Sequence, residues 1–378
     1  MKHLANIFKG DRAIWMLFMV FSLVSLVAVF SSIGLYAITN NASTPTHIFM
    51  KHLVFVLVSW VVAIGLSNIP YKNYARLSQI GYWICLALLV IVLAIGKEGR
   101  WLQVPILGRF QPSEVAKVVL VIYLARVIAL DRKNIKESAV YIRLLLIIGL
   151  IVGPIMLKNL STGILLAATC FLSMLVAGVN KKWLLLTVVI VGLLGGIVIA
   201  SQNKLQDTAL ERTSTWSHRI DSWLHPDPDE LTQENIAKMA IASGGLTGNG
   251  VGHTIHARLM TQAHNDFIYA IIIEEVGSIL GFALFLLYSL FFYRAMRVTR
   301  LCKGTFGAHI ALGLGLLIYL QAVVNMCVSV GVLPVTGQTL PMVSFGGTAY
   351  LCMGASIGIL QSVARTIEKK EKKERTKI

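Results

Sequence analysis

About ten stretches of this chain are apolar for long enough to carry an α-helix across the hydrocarbon of a bilayer, and no other feature limits its fold so severely. A helix rises about 1.5 Å per residue, so it needs roughly 20 residues to cross ~30 Å. Lipid offers the main chain no hydrogen bonds, and each span must therefore satisfy its own, as a helix does. With 56% hydrophobic and only 14% charged residues in 378, the apolar surface is too large for one water-soluble core. The expected fold class is an all-α polytopic membrane protein of about ten transmembrane helices, a single membrane domain over residues 13–364.

The expected spans are 13–38, 48–67, 78–95, 113–129, 141–157, 162–179, 183–200, 266–293, 308–332 and 342–364. The first is longer than the core of a signal peptide and reads as an uncleaved span. Charge orients them. With residues 1–12 inside, the inside segments carry 23 of the 34 Lys/Arg but only Asp11, Asp131, Glu137, Glu368, Glu371 and Glu374 of the 18 Asp/Glu. By the positive-inside rule both termini are cytoplasmic. The net charge of +16 thus reports orientation in a membrane, and nucleic acid is not needed to explain it. The basic tail, 365–378, reads either as a solvated helix end near anionic lipid or as a partner site.

One long polar interval breaks the pattern. Residues 201–265 form a large extracytoplasmic loop between the seventh and eighth spans, holding five of the nine histidines: His218, His225, His253, His256 and His264. His253, His256 and His264 are too loosely spaced to make a strong metal motif, and the metal ligands stay unknown. The run Ser243-Gly244-Gly245-Leu246-Thr247-Gly248-Asn249-Gly250-Val251-Gly252 is either an anion-binding nest or a re-entrant turn. The five cysteines, none in a CxxC pair, read as small core residues.

Several charged residues resist a purely structural account. Before the fourth span stand Arg100, Trp101 and Arg109, then Gln111-Pro112-Ser113-Glu114 with Lys117 one turn later. Pro112 and Ser113 start a helix, and its dipole favours Glu114 in the first turn. Lys117, on the same face, reads as half of an intramembrane ion pair lining a cavity, or as a lysine that snorkels to the surface. Asp266 opens the eighth span at the water boundary, as helix cap or as reacting carboxylate. Glu274 and Glu275 are expected about two turns deeper, roughly 12–14 Å further in, as interhelical anchors or catalytic groups. The uncharged segment 331–347, with Pro334 and Pro341, survives at the membrane edge only where protein covers it or a cavity solvates it.

Three of these motifs in this order resemble the SEDS family of bacterial cell-wall proteins: Gln-Pro-Ser-Glu at 111–114 with Lys117; Asn265-Asp266-Phe267-Ile268 with Glu274, Glu275 and Gly277; and Leu340-Pro341 through Ser344, Gly346 and Gly347. The resemblance covers essentially the whole chain. It implies a peptidoglycan glycosyltransferase that polymerises lipid II at the outer face of the bacterial cytoplasmic membrane, beside a class B penicillin-binding protein, other divisome membrane proteins and membrane lipids. Asp266 would be the general base. Arg100, Trp101, Arg109, Glu114, Lys117, Arg219 and His264 are the candidate substrate-binding residues, and Glu274, Glu275, Pro341, Ser344, Gly346 and Gly347 line the cavity. The resemblance brings no certain cofactor and leaves a divalent cation open. The turn Gly337-Gln338-Thr339-Leu340-Pro341 is closer to the division-associated FtsW branch, with the septum as its place, than to the elongation-associated RodA branch, which puts proline at the position of Thr339. Many members carry Gln-Pro-Asp where this chain has Lys158-Asn159-Leu160-Ser161-Thr162, so a second carboxylate is missing there. A lipid II flippase and a non-enzymatic divisome scaffold are the alternatives to a polymerase.

Overall fold

Asp11 begins the first helix by chemistry local to it: its Oδ1 accepts the N–H groups of Ala13 and Ile14 at 2.9 and 3.2 Å, satisfying two donors that the first turn leaves over. The computed structural model describes residues 8–33, 45–95, 101–104, 108–200, 219, 221–225, 231–260 and 263–375. Among them are ten helices of span length: α1 (Arg12–Ser32), α2 (Pro45–Asn68), α3 (Tyr74–Ile95), α4 (Pro112–Leu130), α5 (Ser138–Lys158), α6 (Leu160–Ala177), α7 (Lys181–Ala200), α9 (Ile268–Leu301), α10 (Thr305–Ser329) and α11 (Gly347–Arg375). A shorter helix, α8 (Gln233–Gly244), belongs to the polar interval, and a small antiparallel hairpin, β1 (Leu102–Val104) with β2 (Gly108–Phe110), precedes α4.

Eight of these helices are long and apolar enough to cross a membrane. Side chains such as Phe30, Val61, Leu146, Leu185 and Phe282 lie mostly exposed around the bundle, as a lipid-facing surface requires. The protein is thus a multi-pass membrane protein. Arg12, Lys72, Arg126, Arg132, Lys181, Arg294 and Lys303 all fall at or beside the helix ends on one side of the bundle, which the positive-inside rule makes the cytoplasmic side. There Arg294 clamps Asp11, with Nη2 2.7 Å from Oδ2.

Without a hydrophobic force between helices in lipid, packing relies on close approach and polar contacts. The pair α2 and α11 uses both. A Cβ on Gly354 would stand 2.6 Å from Ser59 O and one on Gly358 2.5 Å from Ala63 O, so only hydrogen there lets the helices meet; Ser59 Oγ then donates to Tyr350 O at 3.0 Å. α4 is buried on every side except a half-exposed stripe through Val115, Val119, Tyr123 and Arg126, and its buried residues include Glu114 and Lys117.

The eighth span departs from expectation. It is no straight helix: Gly277 takes φ +81° and ψ 167°, and the chain folds back on itself there. Tyr269 Oη donates to Gly281 O at 3.1 Å. In a continuous helix those two residues would be about 18 Å apart, beyond the reach of a tyrosine. The segment Ile268 to Val276 therefore lies alongside the start of the longer helix that follows Gly277. α11 also starts at Gly347 rather than near Met342, because 331–346 runs irregularly into the bundle.

Candidate active site

The irregular stretch before α9 and the irregular stretch before α11 are built against each other. Phe345 N donates to His264 O at 3.0 Å, and Ser344 Oγ donates to Asn265 O at 2.6 Å while accepting Leu340 N at 2.8 Å. The turn is strained at Met342, whose φ of 61° is rare for a residue with a side chain. It is held from three sides: Tyr288 Oη donates to Pro341 O, Ser25 Oγ donates to Val343 O at 2.8 Å, and His52 Nε2 meets the same Ser25 Oγ at 2.8 Å. Gly347 closes on the ring of Phe55, where a Cβ would stand 2.6 Å away.

Asp266 sits half-buried in this construction. Its main chain is fixed by α10, where Asn325 Nδ2 donates to Asp266 O at 2.8 Å and to Gln338 O at 2.7 Å. One turn along the same face, Gln321 Nε2 donates to Thr339 O at 3.0 Å and Gln321 Oε1 accepts from Lys117 Nζ at 3.1 Å. Lys117, 0% exposed, completes an ion pair with Glu114 at 2.9 Å. Gln338 Nε2 donates to Thr162 Oγ1 at 2.6 Å, and Asn159 caps α6 by accepting Thr162 N at 3.2 Å. Two sets of hydrogen bonds, linked through the 338–339 peptide, therefore join the buried Glu114–Lys117 pair to the backbone of Asp266. Gln321, Asn325, Gln338, Ser25 and His52 were not singled out from the sequence. Gln321 and Asn325 carried a usable signal, since two amides four residues apart in an apolar run face the same way.

Glu274 and Glu275 lie elsewhere than expected. They are not deeper than Asp266: the fold-back at Gly277 reverses the order. Glu275 accepts from Ser31 Oγ near the end of α1, whereas the Asp266 turn is level with Ser25, on the order of 9 Å further into the bundle. The Glu275 carboxylate binds the last residue of the glycine-rich run, and the Glu274 carboxylate binds the residues just after it. Glu274 takes Thr254 Oγ1 at 2.5 Å, Ile255 N at 3.0 Å and His256 Nδ1 at 2.8 Å, and Glu275 takes Gly252 N at 3.1 Å. Their carbonyls accept Asn249 N and Gly250 N at 3.0 and 2.9 Å, so the glycine run is a re-entrant turn wrapped around the break.

Other candidates fall at the rim. Arg219 Nη1 donates to Val335 O at 3.2 Å, and Trp223 Nε1 to Gly331 O at 3.0 Å, which seats part of the polar interval over the 331–335 turn. Trp101 is half-buried at the start of β1; Arg109 pairs with Gln103 across the hairpin; Arg100 lies outside the described residues. His264 is buried against Phe345, with ring centroids 5.5 Å apart, and burial pulls its pKa down to about 4, so the ring is neutral at physiological pH. His256 is committed to Glu274. Among the described residues no three His, Cys, Asp or Glu side chains come together as metal ligands.

A lateral apolar cavity of about 370 Å³ runs down the other face of α4, from Phe110 and Thr348 past Val115 and Val118 to Ile359. It shares α4 with Glu114 and Lys117, so one helix borders both a polar network and a greasy channel.

The chain is 29% identical over 368 residues to the probable peptidoglycan glycosyltransferase FtsW of Coxiella burnetii, covering 94% of this chain and 96% of that one. It is 32% identical over 319 residues to the peptidoglycan glycosyltransferase MrdB of Escherichia coli strain K12, covering 82% and 83%. The fold is similar to a chain of a peptidoglycan synthase complex that coordinates polymerization and crosslinking, with TM-score 0.74 at 24% identity over 94% of this chain and 98% of that one. It is also similar to the rod shape determining protein RodA of Thermus thermophilus, with TM-score 0.68 at 22% identity over 95% and 98%. Residues 11–369, which take in the bundle up to the last six residues of α11 and both irregular stretches around Asp266, match the family model described as cell cycle protein, and the chain belongs to this FtsW/RodA/SpoVE (SEDS) family.

Proposed function

We propose that this protein is a peptidoglycan glycosyltransferase that polymerises lipid II, with Asp266 as its general base. The observation that carries the reading is the Asp266 turn itself: a carboxylate on a non-helical segment, its main chain fixed by Asn325 and the 338–345 turn, recessed yet still half-exposed. Asp266 takes the proton from the 4-hydroxyl of the acceptor sugar as that oxygen attacks the anomeric carbon of the donor. The bond from that carbon to undecaprenyl diphosphate breaks, and the diphosphate leaves with the electron pair.

Of the described cations, Arg219 at the rim is better placed than Lys117 to stabilise the departing diphosphate, because Lys117 is neutralised by Glu114 and fully enclosed. The lateral apolar cavity beside α4 is suited to a polyprenyl chain, since it is lined by aliphatic and aromatic side chains and reaches the Glu114 end of the helix. Relatives named FtsW favour a role in septal wall synthesis with a class B penicillin-binding protein; the MrdB relative keeps an elongation role as the alternative. The test is polymerisation of purified lipid II by the detergent-solubilised protein with its transpeptidase partner. Native protein is expected to give long glycan strands and Asp266→Asn none. Equal polymer from both would remove Asp266 from the chemistry, and transbilayer movement of lipid II without polymer would support the flippase reading.

A further inference from the structure

Two helices fix, independently, the level at which the segment 244–259 is anchored. Ser31, whose Oγ donates to Glu275, lies 20 residues beyond the Asp11 that Arg294 clamps, about 30 Å at helical rise. Gly277 lies 17 residues before Arg294, about 26 Å from the same ion pair. In a bilayer with ~30 Å of hydrocarbon, the turn wrapped around Gly277 therefore stands at the outer boundary of that layer.

What the segment exposes there is apolar. Leu246, Val251, Ile255 and Leu259 are 55–70% exposed. Leu246 O accepts Ile279 N, which sets Leu246 beside the exposed Ile279, Leu280 and Phe282 on the lipid-facing side of α9. At the other end of the glycine run, Gly252 N donates to Glu275, which also accepts from Ser31, next to the lipid-facing Phe30 of α1. The main chain is finished as lipid requires. The N–H groups of 248–250, 252, 253 and 255–259 are all bonded within the protein, those of 249, 250, 252, 255 and 256 by Glu274 and Glu275. A loop in water has no need of this, since water would take the same donors; an irregular segment at the hydrocarbon edge does.

We propose that segment 244–259 is a membrane-docking element, its four exposed apolar side chains seated among acyl chains at the outer-leaflet interface. Thr247, Asn249 and His253, exposed between them, stand at the level of the headgroups. The occupant of this surface is phospholipid, because the patch adjoins at both ends a surface that lipid already covers. The dock ties the fold-back at Gly277 to the bilayer, independently of the chemistry at Asp266.

The test places p-benzoylphenylalanine singly at Leu246, Ile255, Ile279 and Asp221 of the full chain in bacterial membranes, with its transpeptidase partner co-produced. Mass spectrometry then identifies what each position captures on irradiation. Ile279 is the lipid control, and Asp221, a strongly exposed residue of the polar interval, is the aqueous one. Phospholipid adducts at 246 and 255 are expected within about twofold of the yield at 279 and roughly tenfold above that at 221. Adducts to a protein instead would overturn the proposal and give the surface to a partner chain; yields no higher than at 221 would overturn it in favour of water. Should the probe itself disturb the turn, hydrogen–deuterium exchange of the purified chain in phospholipid nanodiscs decides, comparing native protein with Leu246→Asn/Ile255→Asn. Exchange over 244–259 is expected to rise about tenfold in the variant, with α4 and α10 unchanged. Equal exchange in the two proteins would also overturn the docking.

Discussion

Gly277→Ala is expected to release the glycine-rich segment from α9 while leaving the ten-helix bundle intact. A φ of +81° costs a residue with a Cβ about 1–2 kcal/mol relative to glycine. The larger part is steric: the new Cβ would stand 2.2 Å from Leu246 O, a main-chain atom that cannot rotate away. Moving that carbonyl strains Ser278 N to Gly245 O at 2.9 Å, Ile279 N to Leu246 O at 3.4 Å, and the two bonds from Asn249 N and Gly250 N to the carbonyls of the glutamates. At ~0.5–1.5 kcal/mol net for each bond, the local destabilisation is about 3 kcal/mol or more. That corresponds to roughly a hundredfold rise in the opening of this segment. Hydrogen–deuterium exchange should show it in peptides covering 244–256 and 268–276 and not in α4 or α10. Gly178→Ala supplies the control, because Gly178 has φ +87° but nothing within 4 Å of where a Cβ would stand, so it should show the conformational cost alone. Unchanged exchange at 244–256 in Gly277→Ala would refute the fold-back, and faster exchange throughout the bundle would refute its local character.

Three further outcomes follow from the geometry. Lys117→Met should destabilise the protein by about 3–5 kcal/mol, because it strands a buried carboxylate, and adding Glu114→Gln should recover much of the loss in thermal unfolding. Asn325→Leu leaves the carbonyls of Asp266 and Gln338 without their shared donor; it should cost about 2–4 kcal/mol and lower polymerisation more than lipid II binding. The His264 pKa is about 4 in the folded chain against 6.5 unfolded, so the unfolded state binds more protons between these values. Its contribution is complete above about pH 6.5 and is lost as pH falls towards 4, about 3 kcal/mol in all, and His264→Asn should flatten that part of the pH–stability curve.

The helices were legible because apolar run length is a property of single segments, and Asp11, Pro112 and Asn159 mark three starts with caps or a first-turn proline. Lys117 and Glu114 were legible for the same reason, an unexpected charge pair at helical spacing. The fold-back was not. Gly277 in an apolar run reads as ordinary helix, and its φ is set by a partner, Leu246, that lies 31 positions earlier in a polar loop. The placement of Glu274 and Glu275 failed with it, since depth was counted along a straight axis. Asn325 and Gln321 show a different gap: their side chains are visible in the sequence, but their acceptors are main-chain carbonyls, which leave no residue signature.

That preference for carbonyls separates what this protein must keep from what it can change. α10 grips the backbone at 266, 338 and 339, so the frame holds whichever side chain is attached there. A carboxylate can then be exchanged for an amide as an isolated edit of reactivity, with folding as an independent readout. For engineering, it makes α10 the part of the protein to leave alone and the neighbouring turns the part to vary, a division of labour under which new acceptor preferences can arise without rebuilding the bundle.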